Sequence, residues 1–188
     1  MSFYNFWLYE LCDIYLEATK PLFVSGSAEE KERAALTLFI CLENGMRLLH
    51  PMMPFLSEEL YQKLPNFGTK AQTITKAPYP VSLEEKFPGL KEHFDKIEEQ
   101  FEIVNKFASS LRSVAASVNL PPQIKPNAYI LTKEQIVLSQ TDLLATLGKC
   151  SSINIIESEE KVPKGCGIAI IGNNKIFLEL SAHIDINK

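Results

Sequence analysis

The chain is 188 residues long, 46% hydrophobic and 22% charged. That balance excludes wholesale disorder and supports an apolar core without metal or disulfides. Nineteen basic against 23 acidic residues leave a net charge of −4. This is not the footprint of a self-sufficient nucleic-acid binder, so any such contact must come from a local basic face.

The four cysteines, Cys12, Cys41, Cys150 and Cys166, form no Cys-x-x-Cys pair, which argues against a zinc site. Cys12 and Cys41 stand among apolar residues, as buried reduced thiols do, and point to a reducing compartment. The N-terminal aromatics are broken by Asn5, Glu10 and Asp13, unlike a signal peptide. No apolar run approaches the roughly 18 residues of a membrane span.

The first half reads as helix. Trp7, Leu11, Ile14 and Ala18 recur at helical spacing between Phe3 and Lys20, opposite an acidic stripe of Glu10, Asp13 and Glu17. Pro21 is expected to end that run. Ser27-Ala28-Glu29-Glu30 fits a capping box opening a helix to about Leu49. Pro51 and Pro54 bracket a sharp connection, and Pro54 suits the first position of a short helix reaching Leu64. Residues 65–81, with Pro65, Gly68, Pro78 and Pro80, read as a surface connection. Ser82-Leu83-Glu84-Glu85 is a second capping box.

A long seam follows. Phe94, Ile97, Phe101, Val104, Ala108, Leu111, Ala115 and Val118 alternate steps of three and four, giving a helix from Leu90 to Val118 buried in a bundle. Asn119 closes it and Pro121-Pro122 forbids continuation. The last third is different. Residues 128–131 and 153–156 read as strands, and Thr132-Lys133-Glu134-Gln135 as a third capping box opening a helix to Gly148. Cys166–Ile171 and Lys175–Ser181 read as a hairpin about Gly172. The fold class is mainly α with a small α+β part: a helical bundle over 1–122, then a β-α-β-β subdomain over 123–188.

Catalytic chemistry needs converging groups. The chain has no Gly-x-Ser-x-Gly elbow, no Gly-x-x-x-x-Gly-Lys loop and no His-Glu-x-x-His pair. His50 reads as a helix C-terminal charge partner, His93 as part of a solvated face, and Cys166 as a strand start after a turn. No residue is assigned to catalysis or to a metal, and no Ser–His or Cys–His pair is expected within hydrogen-bond reach in a cleft.

Phe6-Trp7-Leu8-Tyr9-Glu10-Leu11-Cys12-Asp13-Ile14-Tyr15-Leu16-Glu17-Ala18-Thr19-Lys20-Pro21 resembles the anticodon-binding domain of valyl-tRNA synthetases. So do the run from Leu48-Leu49-His50-Pro51 to Leu60-Tyr61, and Leu111-Arg112 followed by Asn119-Leu120-Pro121-Pro122. The resemblance covers nearly the whole chain and implies a helical bundle, a small α+β piece and then a coiled-coil arm, which would begin near Ile184-Asp185-Ile186. It also implies a first bundle helix before Phe3, so the expectation is a fragment. Neither the His-Ile-Gly-His nor the Lys-Met-Ser-Lys-Ser signature of the catalytic half is present. By the same resemblance, the ATP chemistry, the ligase activity and the nucleotide-binding site belong to a catalytic domain of the same polypeptide. No cofactor is expected in this chain.

The implied partner is the anticodon stem-loop of valine tRNA, in the cytoplasm, with no membrane. The family often carries a second Arg three residues after the position of Arg112; here that position is Ala115, so a paired-Arg phosphate clamp does not carry over. The candidate tRNA-binding residues are Arg47, Arg112, Lys106, Arg33 and Lys125, five cations that would form a backbone-reading surface if they met on one rim. The alternative reading is a stand-alone helical protein-interaction module derived from a synthetase.

Overall fold

The computed structural model describes residues 2–66 and 70–180. The sequence readings at Gly68, Ser181, His183 and the start of the arm lie outside them. The chain divides into two compact units, Met1–Lys91 and Glu92–Lys188.

The first unit is helical. α1 (Ser2–Asn5) runs into a π-helical stretch, Phe6–Leu16, and then into α2 (Glu17–Ser25). Pro21 does not end this helix but lies inside it. It removes one backbone donor, yet bonding resumes across it. Ser25 Oγ donates to Pro21 O at 3.1 Å, and Gly26 N–H donates to Leu22 O at 2.8 Å. Cys12 proves exposed, because it lies beside Asp13 on the outward side of the π stretch.

α3 (Ala28–Leu49) starts as its capping box dictates: Glu30 N–H donates to Ser27 Oγ at 3.3 Å, and Ser27 N–H donates to Glu30 Oε2 at 2.8 Å. α4 (Pro54–Lys63) carries Pro54 in its first turn, and Met46, Tyr61 and Ile74 form a core flanked by Trp7, Leu42 and Leu64. The segment after α4 is strapped down by polar contacts. Ala71 N–H donates to the buried Tyr61 Oη, and Ile74 N–H donates to Glu58 Oε2 at 2.9 Å. The Ser82 cap forms on the short α5 (Leu83–Lys86).

α6 (Lys91–Ser117) leads the second unit, so the long helix groups with the sheet rather than with residues 1–90. Its C-terminal half is the buried one: Val104, Phe107, Ala108, Leu111 and Val114. The sequence seam is only partly buried, since Ile97 is 48% exposed. Asn119, at φ 51°, ends the helix, and Leu120 N–H reaches back to Ala115 O at 3.0 Å as in a Schellman motif.

The sheet order is β2-β1-β4-β3. β1 (Asn127–Leu131) is parallel to β2 (Ser152–Ile155) and antiparallel to β4 (Asn174–Glu179), which forms a hairpin with β3 (Cys166–Ile171). Ala128 opposes Leu178 and Ile130 opposes Ile176, all four buried on one face. Gly172, at φ 57°, supplies the positive φ that this two-residue hairpin turn requires.

The single crossover helix read from the sequence is two, α7 (Gln135–Ser139) and α8 (Thr141–Gly148). The break falls at Gln140, at φ −121° and ψ 36°, and the start differs as well. Thr132 Oγ1 donates to Asn174 Oδ1 and accepts from Glu134 N–H, a turn rather than a capping box. At the end of α7, Ser139 Oγ donates to Ile136 O at 3.1 Å.

Candidate nucleic-acid interface

The five sequence candidates separate by what each touches. Arg33 stands on the exposed face of α3, 3.5 Å from Glu29. Arg47, fourteen residues later, is about 21 Å further along the same helix, so these two do not share a spot. The Arg47 side chain is only 16% exposed. Its Nη2 donates to Glu43 Oε2 at 2.7 Å and to Asn44 Oδ1 at 2.9 Å, and its Nη1 donates to Pro78 O at 2.7 Å. Arg47 therefore ties the strap to α3. It also lines a groove of about 1030 Å³ in the first unit, walled by Phe6, Ile40, Leu48 and Tyr79.

Lys106 is exposed on α6 and pairs with Glu102 at 3.3 Å. It lies about 120° around the helix from Arg112. Arg112 is fixed differently, on neutral oxygens: Nη1 donates to Leu147 O at 2.7 Å and Nη2 to Ser109 Oγ at 3.1 Å. Lys125 is exposed in the loop after Pro121-Pro122. Among the described residues neither Arg112 nor Lys125 pairs with a carboxylate. Three candidates thus carry their own counter-charge four residues upstream, and two do not.

Arg112 lines a notch of about 180 Å³ together with Ala115, Leu120, Pro121, Pro122 and Lys149. Ile124 and Pro126, which flank Lys125, also line it. Lys149 escapes sequence reading because nothing in its neighbourhood marks it. Only the fold returns the end of α8 to the end of α6. Gly148 permits that approach, since a Cβ there would stand 2.8 Å from Leu111 Cδ1. Lys149 itself takes the left-handed conformation, φ 57° and ψ 39°, and like Arg112 has no carboxylate partner among the described residues.

One Ser–His pair does come within reach, at a buried serine rather than in a cleft. His50 Nδ1 lies 2.9 Å from Ser57 Oγ, and Thr75 Oγ1 lies 3.3 Å from His50 Nε2. Ser57 is 0% exposed and donates its proton to Met53 O at 2.8 Å. The hydroxyl is spent on the first turn of α4, so the trio fastens the α3–α4 corner to the strap and is no nucleophile. Burial likewise pushes the thiols of Cys41, Cys150 and Cys166 up, away from the reactive thiolate. Among the described residues no group of three or more His, Cys, Asp or Glu side chains is placed to hold a metal ion. None of their helices is long and apolar enough to cross a membrane.

The family model for the anticodon-binding domain of tRNA ligases matches residues 1–131. The chain is 32% identical to the mitochondrial valine–tRNA ligase of Saccharomyces cerevisiae over 197 residues, covering 99% of this chain and 17% of that protein. It is 32% identical to the valine–tRNA ligase of Schizosaccharomyces pombe, covering 94% of the chain and 18% of that protein. With that of Caenorhabditis elegans it shares 33% identity over 98% of the chain and 18% of that protein. The chain spans less than a fifth of the length of these curated relatives. Helices up to α6 followed by a small mixed sheet are the architecture this match calls for, and the chain belongs to the anticodon-binding domain family of tRNA ligases.

Proposed function

We propose that this chain is the tRNA-binding domain of a valine–tRNA ligase. It holds the anticodon stem-loop of valine tRNA while a catalytic domain of the same polypeptide joins valine to the distant acceptor end with ATP. The observation that carries this is the identity of 30% or more to valine–tRNA ligases along nearly the whole chain. The mechanism of this part is positioning. Cations set against phosphates fix register and orientation, and the catalysis is done elsewhere. The His-Ile-Gly-His and Lys-Met-Ser-Lys-Ser signatures do not occur in the chain, and the ATP-dependent step is assigned to the catalytic domain of the same polypeptide.

Of the five candidates, Arg112 and Lys125 are best placed for phosphate. Arg33, Arg47 and Lys106 would have to exchange their own carboxylates first. The cytoplasm is the proposed compartment, although relatives include mitochondrial enzymes.

The test is titration of the 188-residue chain with valine tRNA and a non-cognate tRNA at several salt concentrations. Tighter binding of valine tRNA, with log K falling linearly in log salt, is expected. Equal affinity for both, or none, overturns the reading and favours a helical protein-interaction module, for which the apolar groove of the first unit would be the surface.

A further inference from the structure

We infer that the notch between the end of α6, the Pro121-Pro122 loop and the end of α8 holds one unstacked nucleotide of the bound RNA, its phosphate on Arg112 and Lys149. This inference rests on the tRNA-binding reading above and goes beyond it by naming a site. The notch has the size for a base, about 180 Å³. Leu120, Pro121, Pro122, Ile124 and Pro126 give it an apolar lining, and the small Ala115 also borders it. RNA is read largely through splayed bases packed on such surfaces, with phosphates held beside them.

The cations are prepared for this. Arg112 spends one donor on Leu147 O and one on Ser109 Oγ. A guanidinium has five N–H donors, so its plane is fixed while others remain to give. Its orienting partners are neutral, so its charge is not cancelled. Lys149 is held at φ 57° by its N–H, which is shared between Ala145 O and Thr146 O. A side-chain-bearing residue pays about 1 kcal/mol for that conformation and glycine does not. Glycine adopts that φ without the cost, so a Lys149→Gly change can remove the charge without straining the backbone. Lys125, between the lining residues Ile124 and Pro126, is exposed and pairs with no carboxylate among the described residues.

Lys149→Gly separates the two roles, because it removes the charge while relieving the backbone. In the intact 188-residue chain it should keep or raise the melting temperature. It should weaken binding of a valine tRNA transcript about tenfold at low salt and reduce the slope of log K against log salt by about 0.7–0.9. Ala115→Leu fills the notch without changing charge. It should weaken binding by a similar factor with the slope unchanged. Lys63→Ala, an exposed lysine paired with Glu59, is the control and should change neither. Wild-type binding that survives both notch variants overturns the inference alone, as does an equal loss with Lys63→Ala. A wild-type chain that binds no tRNA even at low salt overturns the proposed function and the inference with it.

Discussion

A Cβ added at Gly45 would lie 2.8 Å from Trp7 Cζ2 and 3.1 Å from Phe6 Cε1. Both are ring atoms, which yield only if the whole indole or phenyl moves. Gly45→Ala should therefore destabilise the first unit by about 1–3 kcal/mol, with a red-shifted Trp7 emission as the readout. Gly148 shows what sequence alone does and does not disclose. A glycine at a helix end is legible as a cap, but here its role is contact with Leu111, and the left-handed residue is Lys149. Cys150 gives a second prediction. Burial pushes its thiol from 9.0 to about 12. The folded chain keeps that proton where the unfolded chain loses it, so this stability is complete below about pH 9 and is lost as the pH rises toward 12. At pH 10 the loss is on the order of 1 kcal/mol. Urea midpoints measured between pH 8 and 10 should fall, and the fall should flatten in Cys150→Ala.

The extent of α6 is legible to within a residue at each end, because a period of three and four persists for its whole length. Which half of the seam is covered is not legible, since periodicity describes a face and not its neighbour. Leu111 is 0% exposed and Ile97 is 48% exposed. Leu111→Ala should cost about 2–5 kcal/mol and Ile97→Ala less than about 1 kcal/mol by chemical denaturation. Equal costs would mean the seam is covered along its whole length. The capping boxes carry the same lesson. Three segments have a sequence that fits one, and the first, at Ser27, closes in both directions. At Thr132 the hydroxyl goes to Asn174, a partner 42 residues away that no local pattern can announce.

Two compact units need not unfold together. Trp7, the lone tryptophan, lies in the first, and the buried Cys150 in the second. Urea transitions followed by Trp7 emission and by thiol labelling of Cys150 should have distinct midpoints, and superimposable curves would show one cooperative transition. The candidate site was half legible at this scale. Counting cations in the sequence finds Arg112 and Lys125. It cannot find Lys149, and it cannot tell which charges are already answered, because that depends on rotamers as much as on i,i+4 spacing.

The pairing of Arg33, Arg47 and Lys106 with glutamates four residues upstream would also shape the approach of the proposed RNA. Each pair is a small dipole whose field fades within a few ångströms, so these three cations add little to the field an RNA would meet at a distance, where the net charge of −4 sets the long-range term. Encounter is then unsteered, with an association rate constant of about 10⁵–10⁶ M⁻¹s⁻¹ rather than the 10⁸–10⁹ M⁻¹s⁻¹ of charge-guided partners. Added salt screens the weak repulsion over a Debye length of about 10 Å at 0.1 M. Stopped-flow association should therefore hold steady or quicken between low and physiological salt, while dissociation accelerates as phosphate contacts loosen. The affinity this chain has for RNA would lie in how slowly it lets go.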